Sequence, residues 1–387
     1  MKSRHGQAEA GASGRAAPAH AGVATLPKLT SLRFFAAFWV LGFHALPRTA
    51  PPNAWAAFWN LGWLGVTFFF VLSGFILTYT YGRDGGKVDR RRFWFARFAR
   101  VYPLYLFALA FAVPRLVHDL RDAGSATGAI GGARLAGAIF SSLTMMQSWF
   151  SSYVCVWNCP SWSLSDEALF YALFPFAVLL AATRNRRAVL LALTLGGMAL
   201  VAWGSSSAAP PEVSKVLADA SLNPLLRLPE FLVGVWLGGV FLARRPVLSI
   251  ASIVVTLTTL VLIAYACWAG LHPLPVPPQL MAAPLFAILI YAVAGSRDPN
   301  GGLLTAAPLV LLGEASYALY MLHGPLHGYV LAMFNRVAPS TPDGVRFSVY
   351  VIAALILAIA SYTWLERPAR AWLRARFDRS LATANGP

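Results

Sequence analysis

The sequence predicts an all-α polytopic membrane protein with about ten transmembrane helices. Three observations carry that prediction. Hydrophobic residues fill 58% of the 387 positions and charged residues only 12%, against about 25% charged in soluble domains. The apolar residues fall in blocks of roughly 17 to 25, the length that crosses a bilayer as a helix. The net charge is +16, and the basic residues cluster between the apolar blocks, the pattern of cytoplasmic loops. The expected partner of that charge is therefore a lipid bilayer, not nucleic acid.

In chain order, residues 1–27 hold no apolar run of the signal-peptide kind and read as a disordered cytoplasmic tail. Helices are predicted near 29–47, 58–81, 93–113, 164–182, 188–204, 222–242, 248–269, 279–294, 305–334 and 346–365. The apolar stretch 134–150 is ambiguous. As a span it would put "TRNRR" (183–187) outside; as a surface or re-entrant piece it leaves that loop inside with the other basic loops. The ten-span choice places both termini in the cytoplasm. Inside lie Lys2, Arg4, Arg15, Lys28, the cluster from Arg83 to Arg100, Arg184, Arg186, Arg187, Arg244, Arg245 and the tail from Arg367 to Arg379. Arg48, Arg115 and Arg336 are a thin scatter on the other side. Residues 28–368 then form the transmembrane domain, and 369–387 a basic cytoplasmic tail.

Of three cysteines, Cys155 and Cys159 flank "VWN" in the long outer loop, where a disulfide is chemically permitted. The pair is also a weak metal signal, but no third or fourth ligand accompanies it, so no metal site is predicted. Cys267 sits in an apolar helix and reads as core.

The first predicted helix contains "LRFFAAFWVLGFH" (32–44), apolar except for Arg33 and His44. Eleven residues of helix give about 16 Å of rise and about three turns, so both side chains face nearly the same way. Arg33 could snorkel to the interface and His44 could make an interhelical hydrogen bond. Ionisable groups inside a span nevertheless mark functional sites by default. "RRRFWFARFARVYPLYL" (90–106) opens the third span, with Arg97 and Arg100 on one face. They are either positive-inside anchors or an anion site, since arginine binds phosphate bidentately. In "CPSWSLSDEALFYALFP" (159–175), Glu167 lies in the first turns of its helix, where an acid can also serve the helix dipole. His323, in "SYALYMLHGPLH" (316–327), falls in the outer half of its span. The groups thus separate by depth, with arginines near the cytoplasm and His44, His323 and Glu167 toward the other face. That suits a phosphate-bearing donor from the cytoplasm and an acceptor from outside. A pantetheine arm has a reach comparable to the Arg33–His44 rise.

Together these stretches resemble the acyltransferase-3 family of integral membrane O-acyltransferases, which modify sugars on surface polysaccharides, lipopolysaccharide, Nod factors and some antibiotics. "RFFAAFWVLGFH" is similar to the family's Arg-x10-His signature, "FFFVLSGFILT" (68–78) to its second-helix motif and "RFARVYPLYL" (97–106) to its R-x-x-R-x-Y-P element. "WSLSDEALFYALFP" resembles the W-S-L-S-x-E-x-x-F-Y pattern, and "RLPEFLVGVWLG" (227–238), "SYALYMLHGP" and "ERP" (366–368) also fit. The second acidic residue often found after Glu167 is Ala168 here.

The resemblance implies an acyl-CoA co-substrate, usually acetyl-CoA, with no permanently bound cofactor. It also implies a carbohydrate or glycolipid hydroxyl as acceptor and a multi-pass location in a bacterial inner membrane. It makes His44 the catalytic histidine, Arg33 its companion, Arg97 and Arg100 required arginines, and Glu167 the motif's acid. The expected enzyme docks acyl-CoA phosphates near Arg33, Arg97 and Arg100. His44 then acts as general base or transient acyl carrier, and Glu167 or His323 orients the imidazole or the sugar. Neither HxxxxD nor GxSxG occurs. The rival is a secondary transporter, proton-coupled through His44 and Glu167, but the inverted repeats and broken midplane helices of that class are not evident.

Overall fold

A computed structural model describes residues 25–46, 53–118, 132–219, 221–244, 246–272, 274, 276–298 and 301–384. The predicted tail through residue 24, with Lys2, Arg4 and Arg15, lies outside the described residues, as do Arg48 and Arg245. Among the described residues the chain is helical, with one isolated bridge between Leu248 and Ser296.

The helices are α1 (Pro27–Ala45), α2 (Ala54–Asn60), α3 (Leu64–Tyr81), α4 (Arg90–Phe111), α5 (Gly132–Leu143), α6 (Trp162–Ala181), α7 (Arg184–Gly204), α8 (Pro211–Asp219), α9 (Pro224–Arg244), α10 (Ala251–Ala269), α11 (Pro278–Ala294), α12 (Ala307–Glu314), α13 (Ser316–Val337), α14 (Asp343–Ser361) and α15 (Arg367–Ala384). A π-helical turn, Tyr362–Glu366, joins the last two. Among the described residues, six helices are long and apolar enough to cross a membrane: α3, α6 with its preceding turn, α7, α9, α10, and α14 running on into α15. Leu193, Leu195 and Leu200 of α7 and Ile253, Leu257 and Leu260 of α10 are exposed. Helices apolar on their outer faces belong in lipid, and the protein is an integral, multi-pass membrane protein.

The boundaries differ from expectation where chain chemistry interrupts a helix. The predicted 58–81 segment breaks at Gly62, giving α2, whose Asn53 cap accepts from the Ala56 amide at 2.8 Å, and then α3. The predicted 305–334 segment breaks at Ala315 into α12 and α13. The ambiguous stretch 134–150 forms only α5, then a bend at Met145 with φ 56°, then a 3-10 turn at Gln147–Trp149. A 12-residue helix rises about 18 Å, too short for a hydrocarbon core of about 30 Å.

At the centre, α3 packs on α1, α6, α9 and α11. Its tightest contact is with α9. A Cβ at Gly74 would overlap the Phe231 carbonyl, and one at Gly234 would overlap the Val71 carbonyl. Small residues there let two backbones touch, the usual basis of helix association in lipid.

Candidate active site

Four of the six predicted site residues converge on one cavity of about 500 Å³, lined by Arg33 of α1, Arg97 and Arg100 of α4, and Glu167 of α6. Ser163, Tyr171, Tyr317 and Tyr320 are among its other polar lining residues. Tyr171 Oη donates to Glu167 Oε2 at 2.7 Å, one turn along α6. Among the described residues, none of the three arginines closes an ion pair, and Arg97 Nε is buried with no hydrogen-bond partner. Glu366, 2% exposed, adds a second carboxylate within electrostatic range of Arg33 and Arg100. The π-helical turn that carries Glu366 is an irregularity often found at functional sites.

The other two residues meet at the far end of α1. His323 Nε2 lies 3.2 Å from His44 Nδ1, with ring centroids 4.9 Å apart. His323 is 1% exposed, and its Nδ1 is 2.6 Å from the Tyr320 carbonyl. A carbonyl only accepts, so His323 Nδ1 carries the hydrogen and its Nε2 the lone pair. His44 Nδ1 faces that lone pair and the Val40 carbonyl at 3.0 Å. It must therefore be the donor, which leaves Nε2 as the unprotonated nitrogen of His44. A ring in that tautomer can accept a proton at Nε2, and the resulting imidazolium is held by its Nδ1–H bond to His323.

Tyr320 links the two ends. It lines the arginine cavity, receives a hydrogen bond from Ser163 Oγ at 2.9 Å, and donates to the Pro160 carbonyl at 2.8 Å. Its own carbonyl fixes His323.

Proline explains how the local backbone holds these groups. Pro325 cannot donate to the Met321 carbonyl four residues back, and Asn158 Nδ2 takes that place at 3.0 Å. Pro175 likewise frees the Tyr171 carbonyl, which accepts from Trp94 Nε1 at 3.0 Å. Each freed carbonyl thus becomes a tie between elements, α13 to the 147–161 loop and α6 to α4.

Glu167 departs from expectation. The sequence places it with the histidines; the structure places it among Arg100, Arg33 and Arg97. The 147–161 loop is sunk into the bundle, with Gln147, Ser148, Asn158 and Ser161 all buried. Pro160 packs beside Gly324, so α6 already starts at the level of His323. Five further residues carry Glu167 about 7.5 Å deeper. A disulfide joins Cys155 and Cys159 in this loop, one of the two outcomes left open by the sequence.

Sequence reasoning assigned no role to Tyr171, Tyr320 or Glu366. Tyr171 was findable from its i+4 spacing to Glu167. Glu366 was not, because only the π-turn aims it inward. A second buried charge cluster was also unassigned. Arg227 Nε lies 3.0 Å from Glu230 Oε1, and Nη2 donates to Oε2 at 3.1 Å and to Thr67 Oγ1 at 3.3 Å. The rings of Trp63, Phe70 and Trp162 surround the guanidinium.

A family model described as an acyltransferase domain matches residues 26–363. The chain is similar to acyltransferase MdmB of Streptomyces mycarofaciens, at 28% identity over 94% of this chain and 96% of that one. It is 27% identical to the exopolysaccharide production protein ExoZ of Rhizobium meliloti, over 86% and 96% of the two chains. It is 25% identical to the peptidoglycan O-acetyltransferase OatA of Listeria monocytogenes, over 89% of this chain but only 56% of that longer protein. No solved structure matches. These relatives give no support to a transporter. With the family model covering most of its length, the chain belongs to the acyltransferase-3 family and is a membrane acyltransferase.

Proposed function

We propose that the protein moves an acyl group, acetyl in the simplest case, from cytoplasmic acyl-CoA to a hydroxyl of an extracytoplasmic carbohydrate. The observation that carries the donor assignment is the convergence of Arg33, Arg97 and Arg100 on one cavity, with no ion pair of their own among the described residues. Guanidinium groups left unpaired inside a bundle call for an anion, and phosphate matches their fork geometry. The acceptor class follows from the relatives, among them a peptidoglycan O-acetyltransferase and an exopolysaccharide production protein.

In this mechanism the CoA phosphates sit at the arginines, and the pantetheine arm carries the thioester along α1 toward His44. His44 Nε2 takes the proton of the acceptor hydroxyl as its oxygen attacks the thioester carbonyl. The C–S bond breaks, and the proton passes to the departing CoA thiolate. His323 holds the imidazole in the reactive tautomer. Tyr171 holds Glu167 beside Arg33, where its charge orients the guanidinium.

The orientation belongs to the proposal. Ten spans result if α1, α4, α11 and α13 cross alongside the six long apolar helices. These four fall short in hydropathy or length, and three of them do so by carrying Arg33 and His44, Arg97 and Arg100, or His323. The basic loops then lie in the cytoplasm with both termini, in a bacterial inner membrane. Single cysteines at Ser151 and Asn185, in a background lacking the native three, test this. An impermeant maleimide should label Ser151 in intact cells and Asn185 only after lysis; labelling of Asn185 in intact cells reverses the assignment.

The chemical test uses purified protein, labelled acetyl-CoA and a polysaccharide acceptor. Acetyl transfer with CoA release is expected, falling about 10²- to 10⁴-fold in His44→Ala, the range for loss of a general base. Near-normal transfer by His44→Ala would remove that residue from the mechanism.

A further inference from the structure

The C-terminal helix α15 does not leave the bundle as a free tail. It packs along α4, and Phe377 stacks on Phe95 with centroids 4.1 Å apart and planes within 9°. Residues 370, 374 and 377 recur at i, i+4 and i+7, so they share one helix face. The Phe377 contact therefore fixes the direction of Arg370 and Arg374: toward the start of α4 and its arginines. Arg370 lies within electrostatic range of Arg100, and Arg374 of both Arg97 and Arg100. Tyr81, which lines the cavity, is also close to Arg374.

Arg370 is partly buried and Arg374 exposed, so together they can meet an anion that enters the cavity from the α15 side. Five guanidiniums (Arg33, Arg97, Arg100, Arg370 and Arg374) face three carboxylates, Glu167, Glu314 and Glu366. Among the described residues none of the five closes an ion pair. Glu314 is engaged by the Tyr362 hydroxyl at 2.6 Å. The other face of α15 is different. Trp372 is 57% exposed with Arg376 over its ring at 5.7 Å, and Trp364, in the π-turn before α15, is 79% exposed, the pairing expected at a lipid interface.

We infer that Arg370 and Arg374 form an outer anion subsite that takes the 3′-phosphate of the CoA nucleotide. The inference rests on the acyl-CoA reading above. In a linear donor whose thioester is at His44, the pyrophosphate comes next and the 3′-phosphoadenosine last. The guanidiniums follow the same order, with Arg33 on the His44 helix and the α15 pair beyond Arg97 and Arg100. Attachment of α15 to α4 would thus be part of donor recognition.

The test compares acetyl-CoA with acetyl-3′-dephospho-CoA in nanodiscs, with and without phosphatidylglycerol. Wild type should prefer acetyl-CoA by about tenfold or more in KM, as expected for loss of charge-assisted contacts. Arg370→Gln with Arg374→Gln should raise the acetyl-CoA KM to that of the dephospho donor and leave kcat unchanged. The Lys pair should restore part of the preference. A ratio of two donors on one protein is insensitive to folding damage. A wild type with no preference, or a Gln pair that keeps it, overturns the inference while leaving acyl-CoA as donor. So does a Gln-pair defect seen only with phosphatidylglycerol, which would assign the two arginines to lipid headgroups. A wild type that neither binds nor uses acetyl-CoA overturns the donor reading and this inference with it.

Discussion

Arg227 and Glu230 are 2% and 1% exposed and form an ion pair, with Nη2 donating to Oε2 and to Thr67 Oγ1. Arg33, Arg97 and Arg100 are drawn from two helices onto a cavity and, among the described residues, close no ion pair. Both clusters remove charge from bulk water, which is costly unless something compensates. In the first the partner is three residues along the same helix, so the charges are paired within α9 itself. In the second, Glu167 is held by Tyr171, and it and Glu366 face more arginines than they can pair, which leaves room for an anionic ligand. A buried, closed ion pair behind α3 and α6 is a brace; an open one at a cavity is a binding site.

The contrast breaks most visibly at the brace. Arg227→Met leaves Glu230 buried and unpaired, which should cost about 3 to 5 kcal/mol, read as a lower melting temperature in detergent. Adding Glu230→Leu should recover most of that loss, because a well-packed apolar pair can replace a buried ionic one. If Arg227→Met melts like wild type, the pair is not structural. The next effect is at the cavity. Arg100→Ala should weaken acyl-CoA binding by about 1.5 to 3 kcal/mol with little change in melting temperature. A matching loss of stability would erase the distinction between the clusters. The smallest effect belongs to the exposed Asp89–Arg92 pair, 3.5 Å apart with side chains 59% and 55% exposed. Arg92→Ala should change stability by less than about 1 kcal/mol and leave donor binding alone. A binding defect there would mean the anion site extends to the first turn of α4.

Much of this was legible in the sequence. The helical, membrane-embedded class followed from apolar block length. His44, His323 and the three arginines stood out because ionisable groups are rare in apolar helices. The depth of Glu167 was not legible, because it depends on a polar loop that tucks Asn158 and Ser161 into the bundle against α13, and hydropathy places such a loop outside. The register of α15 on α4 was hidden for a related reason. Its arginines read as a tail, and only the Phe95–Phe377 stack shows which of them lie on the α4 side, Arg370 partly buried and Arg374 exposed. The Arg227–Glu230 brace was visible as a motif but not as a pair, since i,i+3 spacing on a helix end is equally compatible with two solvated charges.

The most direct test of the central claim, an anion-binding donor cavity separate from the histidine pair, is calorimetric binding of a non-hydrolysable acetyl-CoA thioether. Wild type, His44→Ala and Arg33→Ala/Arg100→Ala proteins would be compared in detergent. Wild type and His44→Ala should bind with affinities within about threefold, since His44 works on the acceptor proton, and the double arginine variant should lose at least about tenfold from one charge-assisted contact alone. Tight binding by the double arginine variant, or its loss in His44→Ala, would contradict the account.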